Sequence, residues 1–163
     1  MLSCHLTDMK RWCFVKKRGV FKLAKTKVLK MTDSSSTRPY RILLAEDDEV
    51  NQDIVRAYLA DMHNVELIVT SDGRQALEAA LVGRYDLMIF DQQMPHITGD
   101  RVLLHLRAGR SFNAATPVIR FTAAADARPV EIRQVGGVAE VTLPKPLRME
   151  TFVSTVKAML GAV

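Results

Sequence analysis

Residues 42–49 read Ile-Leu-Leu-Ala-Glu-Asp-Asp-Glu, an unbroken apolar run that ends in four acidic residues. Such a run is typical of a parallel strand that is covered on both faces. Apolar side chains then recur every three or four residues, which predicts an amphipathic helix with one inward-facing stripe. The stripe comprises Val50, Ile54, Val55, Tyr58, Leu59 and Met62.

The same alternation of strand and helix continues along the rest of the chain. Short apolar runs predict four further strands, at residues 65–70, 87–90, 117–121 and 139–143. Amphipathic stretches predict the remaining helices at residues 72–81, after Gly99, at residues 126–135, and along a last stripe of Met149, Phe152, Val156, Met159 and Leu160. Five strand–helix repeats with short connections predict an α/β fold with a doubly wound, five-stranded parallel sheet, (βα)5.

Length and composition narrow the class of protein further. A chain of 163 residues with 48% hydrophobic residues has room for one globular domain and a tail. It has neither an apolar run long enough to span a membrane nor a secretory signal, so we expect a cytoplasmic protein. The two cysteines, Cys4 and Cys13, lack a zinc-site spacing, and we interpret them as free thiols.

The positive charge of the chain is concentrated at its start. Residues 1–30 contain nine Lys or Arg and one acidic residue, whereas residues 31–163 contain 14 basic and 17 acidic residues. We therefore interpret residues 1–37 as a basic, disordered extension with a polar leader, and residues 38–163 as the domain. Two alternatives stay open: the first 30 residues bind acidic lipid or nucleic acid, or translation starts at Met31.

Charged or hydroxylated residues follow four of the predicted strands. Glu46 and Asp47 follow the first strand, Asp91 the third, Thr122 the fourth and Lys145 the fifth. In a parallel sheet these strand ends share one edge, where ligands bind. Crowded carboxylates need a cation, and oxygen ligands favour Mg²⁺. An aspartate supported by a metal and a lysine can accept a phosphoryl group, which makes Asp91 the candidate nucleophile.

Four segments in the same order resemble the signature motifs of response-regulator receiver domains of two-component systems. They are Arg-Ile-Leu-Leu-Ala-Glu-Asp-Asp-Glu-Val-Asn-Gln at residues 41–52, Phe-Asp-Gln-Gln-Met-Pro at 90–95, Phe-Thr-Ala at 121–123 and Leu-Pro-Lys-Pro at 143–146. The Glu-Val-Asn-Gln stretch resembles the receivers of hybrid sensor kinases in particular. The resemblance implies a flavodoxin-like fold over residues 38–163.

The resemblance also implies a role for individual residues. Asp91 matches the phosphoacceptor of the family, Lys145 the lysine of its phosphorylation site and Thr122 its switch hydroxyl. Pro146 matches a proline that follows a cis peptide bond. Asp48 lies where many relatives have an uncharged residue, and we do not assign it to the metal. The implied Mg²⁺ ligands are Asp47, Asp91, the backbone carbonyl of Gln93 and, through water, Glu46.

Two positions depart from the family pattern. Three residues before Lys145 the family usually has an aromatic side chain that reports phosphorylation, but this chain has Thr142, or Val141 if the segment is one residue longer. Output through this strand must therefore differ from that of the relatives. Arg120 places a charge in a strand that is expected to be buried, and the sequence alone gives no physical reason for it.

The main functional hypothesis is a single-domain response regulator, a switch whose only enzymatic activity is slow autodephosphorylation. Its expected partners are a histidine kinase or histidine phosphotransfer protein and an unknown downstream protein, whereas neither specific nucleic acid nor a membrane span is expected. A homodimer stays open. One alternative is a receiver-like scaffold that does not depend on phosphorylation. The other is a phosphatase of the haloacid dehalogenase kind, which would need an aspartate where this chain has Gln93.

Overall fold

The structure is a computed structural model that describes residues 16–17, 20–21, 38–109, 111–123 and 131–161. The chain divides into two units, Met1–Thr37 and Arg38–Val163. In the first unit, strand β1 (Lys16–Lys17) pairs antiparallel with β2 (Val20–Phe21). The rest of the predicted disordered extension, with both cysteines, lies outside the described residues.

Between residues 40 and 122 the described residues of the second unit alternate strands and helices as the sequence predicts. Its strands are β3 (Tyr40–Ala45), β4 (Val65–Thr70), β5 (Leu87–Asp91), β6 (Val118–Thr122), β7 (Arg133–Val135) and β8 (Val138–Pro144). Its helices are α1 (Glu49–Leu59), α2 (Gly73–Val82), α3 (Gly99–Ala108) and α4 (Met149–Leu160). None of the described helices is long and apolar enough to cross a membrane.

The strands form one sheet in the order β4-β3-β5-β6-β8-β7. The first five strands of this order are parallel, and β7 pairs antiparallel with β8 at the edge. The chain reverses its direction of winding between β3 and β5, as in a doubly wound sheet. The prediction of a flavodoxin-like α/β fold is therefore confirmed, and the carboxyl ends of β3 and β5 flank the position where such sheets bind ligands.

Helices cover both faces of the sheet and divide the core into two layers. Strand side chains alternate between the faces, so each layer receives every second residue. One layer packs under α1 and α4 around the buried residues Ile42, Leu44, Ile89, Ile119, Phe121, Phe152 and Val156. The other packs under α2 and α3 around Leu43, Ala76, Met88, Phe90, Val102 and Leu106.

The predicted helix at residues 126–135 is wrong at its C-terminal end. Arg133–Val135 forms strand β7, and Val135 faces Val138 across the two-residue turn of Gly136 and Gly137. Both glycines have positive φ values, 59° and 83°, which suit a tight hairpin because glycine lacks a Cβ. Residues 124–130, where most of this helix was predicted, lie outside the described residues.

Two apolar residues assigned to the core are exposed. Val50 is 68% exposed and Met149 is 47% exposed, and each lies in the first turn of its helix. At a helix end the neighbouring turn that would cover one side of the residue is missing. Periodicity alone therefore overestimates how far the buried stripe extends toward the helix N-terminus.

An ion pair fastens the start of the domain to the loop before β5. Arg38 donates two hydrogen bonds to Asp86, at 2.8 and 2.7 Å, and the backbone N–H of Arg41 donates a third at 2.8 Å. Burial alone would raise the pKa of Asp86, but these hydrogen bonds and the charges of Arg38 and Arg41 outweigh it and hold the pKa below its usual range. Asp86 therefore stabilises the fold in its ionised form.

Asp86→Asn is expected to lower the free energy of unfolding at pH 7 by about 1 kcal/mol, as for a charged hydrogen bond that solvent partly screens. Because the folded pKa is depressed, this stabilisation is present above the unfolded pKa of about 3.9 and disappears as the pH falls through the folded value. Urea denaturation of both proteins at a series of pH values checks it. Asp53→Asn, which breaks an exposed pair with Arg56, is the control. A difference that persists in acid would contradict the prediction.

Candidate functional site

Asp91 is the last residue of β5, at the carboxyl edge of the sheet. Its side chain is almost buried, and its Oδ1 accepts a hydrogen bond from the backbone N–H of Gln93 at 3.3 Å. Gly99, the first residue of α3, packs directly against it: a Cβ added at Gly99 would lie 2.3 Å from the Asp91 carbonyl oxygen. The start of α3 is thus in direct contact with the backbone of the predicted phosphoacceptor.

Lys145 links the candidate nucleophile to the acidic residues after β3. Its Nζ lies 2.8 Å from Asp91 Oδ2 and 2.8 Å from Glu46 Oε2. Burial alone would lower the pKa of Lys145, but its hydrogen bonds to Asp91 and Glu46 outweigh that effect and raise the pKa. The peptide bond between Lys145 and Pro146 is cis, as the sequence motif predicts. The ammonium group therefore stays charged between two carboxylates.

Glu46 is fully buried, although it directly follows a strand end. Burial raises the pKa of its carboxyl, and the hydrogen bonds from Lys145 and Asn51 partly offset the rise. Asn51 Nδ2 donates to Glu46 Oε1 at 3.1 Å, and Gln52 Nε2 donates to the Glu46 carbonyl oxygen at 2.7 Å. Sequence reasoning missed this role of Asn51 and Gln52, which lie in the first turn of α1 and face back toward the strand end.

The carboxylates of Glu46, Asp47 and Asp91 each have an oxygen within 4.8 Å of the others. Asp47 is exposed, so one side of the cluster is open to solvent. Asp48 instead caps α1, where its side chain accepts the N–H of Asn51 at 2.9 Å. Glu46 Oε2 is buried, and among the described residues the only cation or donor close to it is the Lys145 ammonium at 2.8 Å. An all-oxygen donor set that is open to solvent on one side suits a hard divalent cation.

Thr122 ends β6 beside Asp91. The side chain is buried, and the Thr122 carbonyl oxygen accepts the N–H of Lys145 at 2.8 Å. This hydrogen bond joins the ends of β6 and β8. The structure thus gathers at one edge the predicted residues Glu46, Asp47, Asp91, Gln93, Thr122 and Lys145.

The structure also explains the charge in β6. Arg120 pairs in register with Thr142 on β8, and its guanidinium reaches Glu140 at 3.3 Å and Asp100 at 3.0 Å. Glu140 is buried and also pairs with Arg107 of α3. An arginine in this strand therefore compensates a buried carboxylate on the neighbouring strand. The sequence signal was the second charge, Glu140, inside the predicted strand 139–143.

The family model of the response regulator receiver domain matches residues 42–157. Among curated proteins, the polar-differentiation response regulator DivK of Brucella anthropi is 32% identical over 123 residues, which cover 76% of this chain and 98% of that protein. The regulatory protein VanRB of Enterococcus faecalis is 32% identical over 120 residues, which cover 74% of this chain and 52% of VanRB.

Solved structures agree in fold. The receiver domain of a Pseudomonas aeruginosa sensor histidine kinase, which has a magnesium ion coordinated in its active-site cleft, is 27% identical with a TM-score of 0.63 and covers 76% of this chain and 98% of its own. The chemotaxis response regulator CheY4 of Vibrio cholerae is 27% identical with a TM-score of 0.62, over 74% of this chain and 98% of its own. The chain therefore belongs to the response regulator receiver domain family, whose function is two-component phosphorelay signal transduction.

Proposed function

We propose that the chain takes a phosphoryl group from a phosphohistidine onto Asp91. The observation that carries the proposal is the position of the Lys145 ammonium, 2.8 Å from both Asp91 and the buried Glu46, at the sheet edge where Asp47 opens to solvent. The Asp91 carboxylate contacts one cation and lies beside two further acidic residues, Glu46 and Asp47. This arrangement suits the acceptance of a phosphoryl group better than a closed ion pair.

The transfer is a displacement at phosphorus. A carboxylate oxygen of Asp91 attacks the phosphorus, the phosphorus–nitrogen bond to the donor imidazole breaks, and that nitrogen keeps the electron pair. Lys145 neutralises charge on the phosphoryl oxygens as the bond forms, and the Thr122 hydroxyl donates a hydrogen bond to one of them. The product is an acyl phosphate on Asp91.

We also propose that the site holds Mg²⁺. Asp47, Asp91 and the Gln93 backbone carbonyl would bind it directly, and Glu46 would bind it through water. When bound, the metal neutralises the charge of the carboxylates and of the transferred group. The Pseudomonas receiver that was solved with magnesium in its cleft supports this assignment, as does the cluster of carboxylate oxygens from Glu46, Asp47 and Asp91.

Residues 38–163 form the receiver domain, and residues 1–37 precede it as a basic extension. The partners are a histidine kinase or histidine phosphotransfer protein and a downstream protein target. The chain acts as a switch with, at most, slow autodephosphorylation. Histidine kinases take their phosphoryl group from ATP, which is present in the cytoplasm. We therefore propose a cytoplasmic location.

Intact-mass analysis after incubation with acetyl phosphate and Mg²⁺ tests the proposal. We expect one phosphoryl adduct that hydroxylamine removes, because hydroxylamine cleaves acyl phosphates. Chelation of the metal with EDTA is expected to slow formation of the adduct at least tenfold, since the carboxylates then repel the incoming phosphoryl oxygens. A chain that stays unmodified with Mg²⁺ present would favour the scaffold that does not depend on phosphorylation.

A further inference from the structure

Arg120 lies on the route from the phosphorylation site to the surface of β8 and α3. Side chains two residues apart on a strand share a face, so Arg120 and Thr122 lie on the same side of β6. Arg120 contacts Asp100, which directly follows Gly99 at the start of α3. One guanidinium therefore joins the strand that carries the switch hydroxyl to the helix that packs on the phosphoacceptor.

The two carboxylates that Arg120 contacts differ in burial. The Glu140 side chain is 4% exposed, whereas the Asp100 side chain is 53% exposed. Loss of its cation destabilises a buried carboxylate more than a solvated one. The contact of Arg120 with Asp100 is therefore the weaker of the two. Any movement of β6 relative to α3 will therefore break the contact with Asp100 first.

The present arrangement leaves one donor of the guanidinium without a partner. Arg120 Nε is buried and makes no hydrogen bond with any residue that the structure describes. A guanidinium presents its donors in a planar fork that fits a carboxylate in a bidentate pair. If Arg120 released Asp100, Nε and one terminal nitrogen could both donate to Glu140, and this second arrangement would satisfy the buried donor.

We propose that Arg120 is the switch that carries the phosphorylation state of Asp91 to the surface formed by α3 and β8. The inference rests on the proposed function. When the Thr122 hydroxyl moves to the phosphoryl group, the end of β6 moves with it, while Gly99 keeps Asp100 fixed against Asp91. The Arg120–Asp100 pair then opens, Arg120 pairs bidentately with Glu140, and the Asp100 carboxylate becomes available to a partner. This switch needs no aromatic residue at Thr142.

The arginine side-chain ¹H–¹⁵N NMR signals of the full chain test this directly. The signal of Arg120 Nε is assigned as the one that is missing from Arg120→Lys. We expect it to shift when Mg²⁺ and beryllofluoride, a non-covalent phosphoryl mimic, are added together. It is expected to stay unchanged in Asp91→Asn. An unchanged Arg120 signal in a native chain that binds beryllofluoride would overturn the switch and leave the proposed function intact.

Reciprocity gives a second test. If occupation of the site opens the Arg120–Asp100 pair, breaking the pair in advance must tighten beryllofluoride binding. We expect a gain of about fivefold or more for Asp100→Asn, at the lower end of the usual range of such coupling. Glu78→Gln changes the net charge by the same amount at the exposed Arg74–Glu78 pair of α2, so an equal gain in that variant would show a purely electrostatic effect and would overturn the proposal.

Controls separate the remaining outcomes. Glu78→Gln breaks the exposed Arg74–Glu78 pair of α2, and its affinity is expected to equal that of the native chain. Asp100 is exposed, so Asp100→Asn is expected to keep the fold, which thermal denaturation verifies. Failure of the native chain both to bind beryllofluoride and to form an adduct with acetyl phosphate would overturn the proposed function, and this inference with it.

Discussion

Asp91→Asn is expected to abolish the phosphoryl adduct completely. The amide has no charged oxygen to attack phosphorus, and it cannot form an acyl phosphate. It is nearly isosteric with the carboxylate, so the packing of Gly99 against the backbone is preserved. The fold should therefore remain, which makes the loss specific to the chemistry.

Intact-mass analysis with acetyl phosphate and Mg²⁺ measures this result, and thermal denaturation verifies the fold. Asp53→Asn is the matched control, because it makes the same chemical change at an exposed residue of α1 and leaves Asp91 in place. An adduct of unchanged yield in Asp91→Asn would show that another residue is the acceptor. Peptide mapping of the adduct would then identify that residue.

Lys145→Gln is expected to reduce the rate of adduct formation about 100-fold, within the range found when one charge-stabilising donor is removed. The ammonium lies 2.8 Å from Asp91 and from Glu46, so its loss leaves two carboxylates without their shared cation. In the native chain the hydrogen bond and charge of Lys145 oppose the effect of burial on Glu46. Without the lysine, the pKa of the buried Glu46 carboxyl therefore rises further. The transferred group also loses a positive charge that it needs in the transition state.

The rate of adduct formation at saturating acetyl phosphate, followed by intact mass, measures the effect. Lys157→Gln is the matched control, since Lys157 is an exposed lysine near the end of α4. Its rate should equal that of the native chain. If Lys145→Gln reacts within about twofold of the native rate, the lysine has a structural role alone and charge stabilisation falls to the metal.

Loss of Lys145 is also expected to change the pH dependence of the site in a defined direction. In the native chain burial raises the pKa of Glu46, and the lysine counteracts the rise. Without the lysine, Glu46 keeps its proton to a higher pH than in the native chain. The two effects of the substitution, a slower transfer and a more basic Glu46, have the same origin in one missing positive charge.

Most of the fold followed from local sequence patterns. The boundaries of β4 were predicted to the residue, and those of β3, β5 and β6 nearly so. For the central strands β3 and β5 the reason is that a strand buried on both faces requires an unbroken apolar run. The predicted helix at 126–135 failed at Arg133–Val135. There the glycine pair 136–137 allowed a tight turn, and pairing with β8 outweighed the helical spacing.

The sequence by itself determined the chemistry of the candidate site, because carboxylate, hydroxyl and ammonium groups after consecutive parallel strands meet at one edge of the sheet. It did not determine how those groups are held. The burial of Glu46, its bonds from Asn51 and Gln52, and the packing of Gly99 on Asp91 exist only in the folded chain. Arg120 had no explanation until the tertiary structure placed Glu140 and Asp100 beside it. Charges distant in sequence interact only after the sheet has formed, so tertiary structure alone decided their pairing.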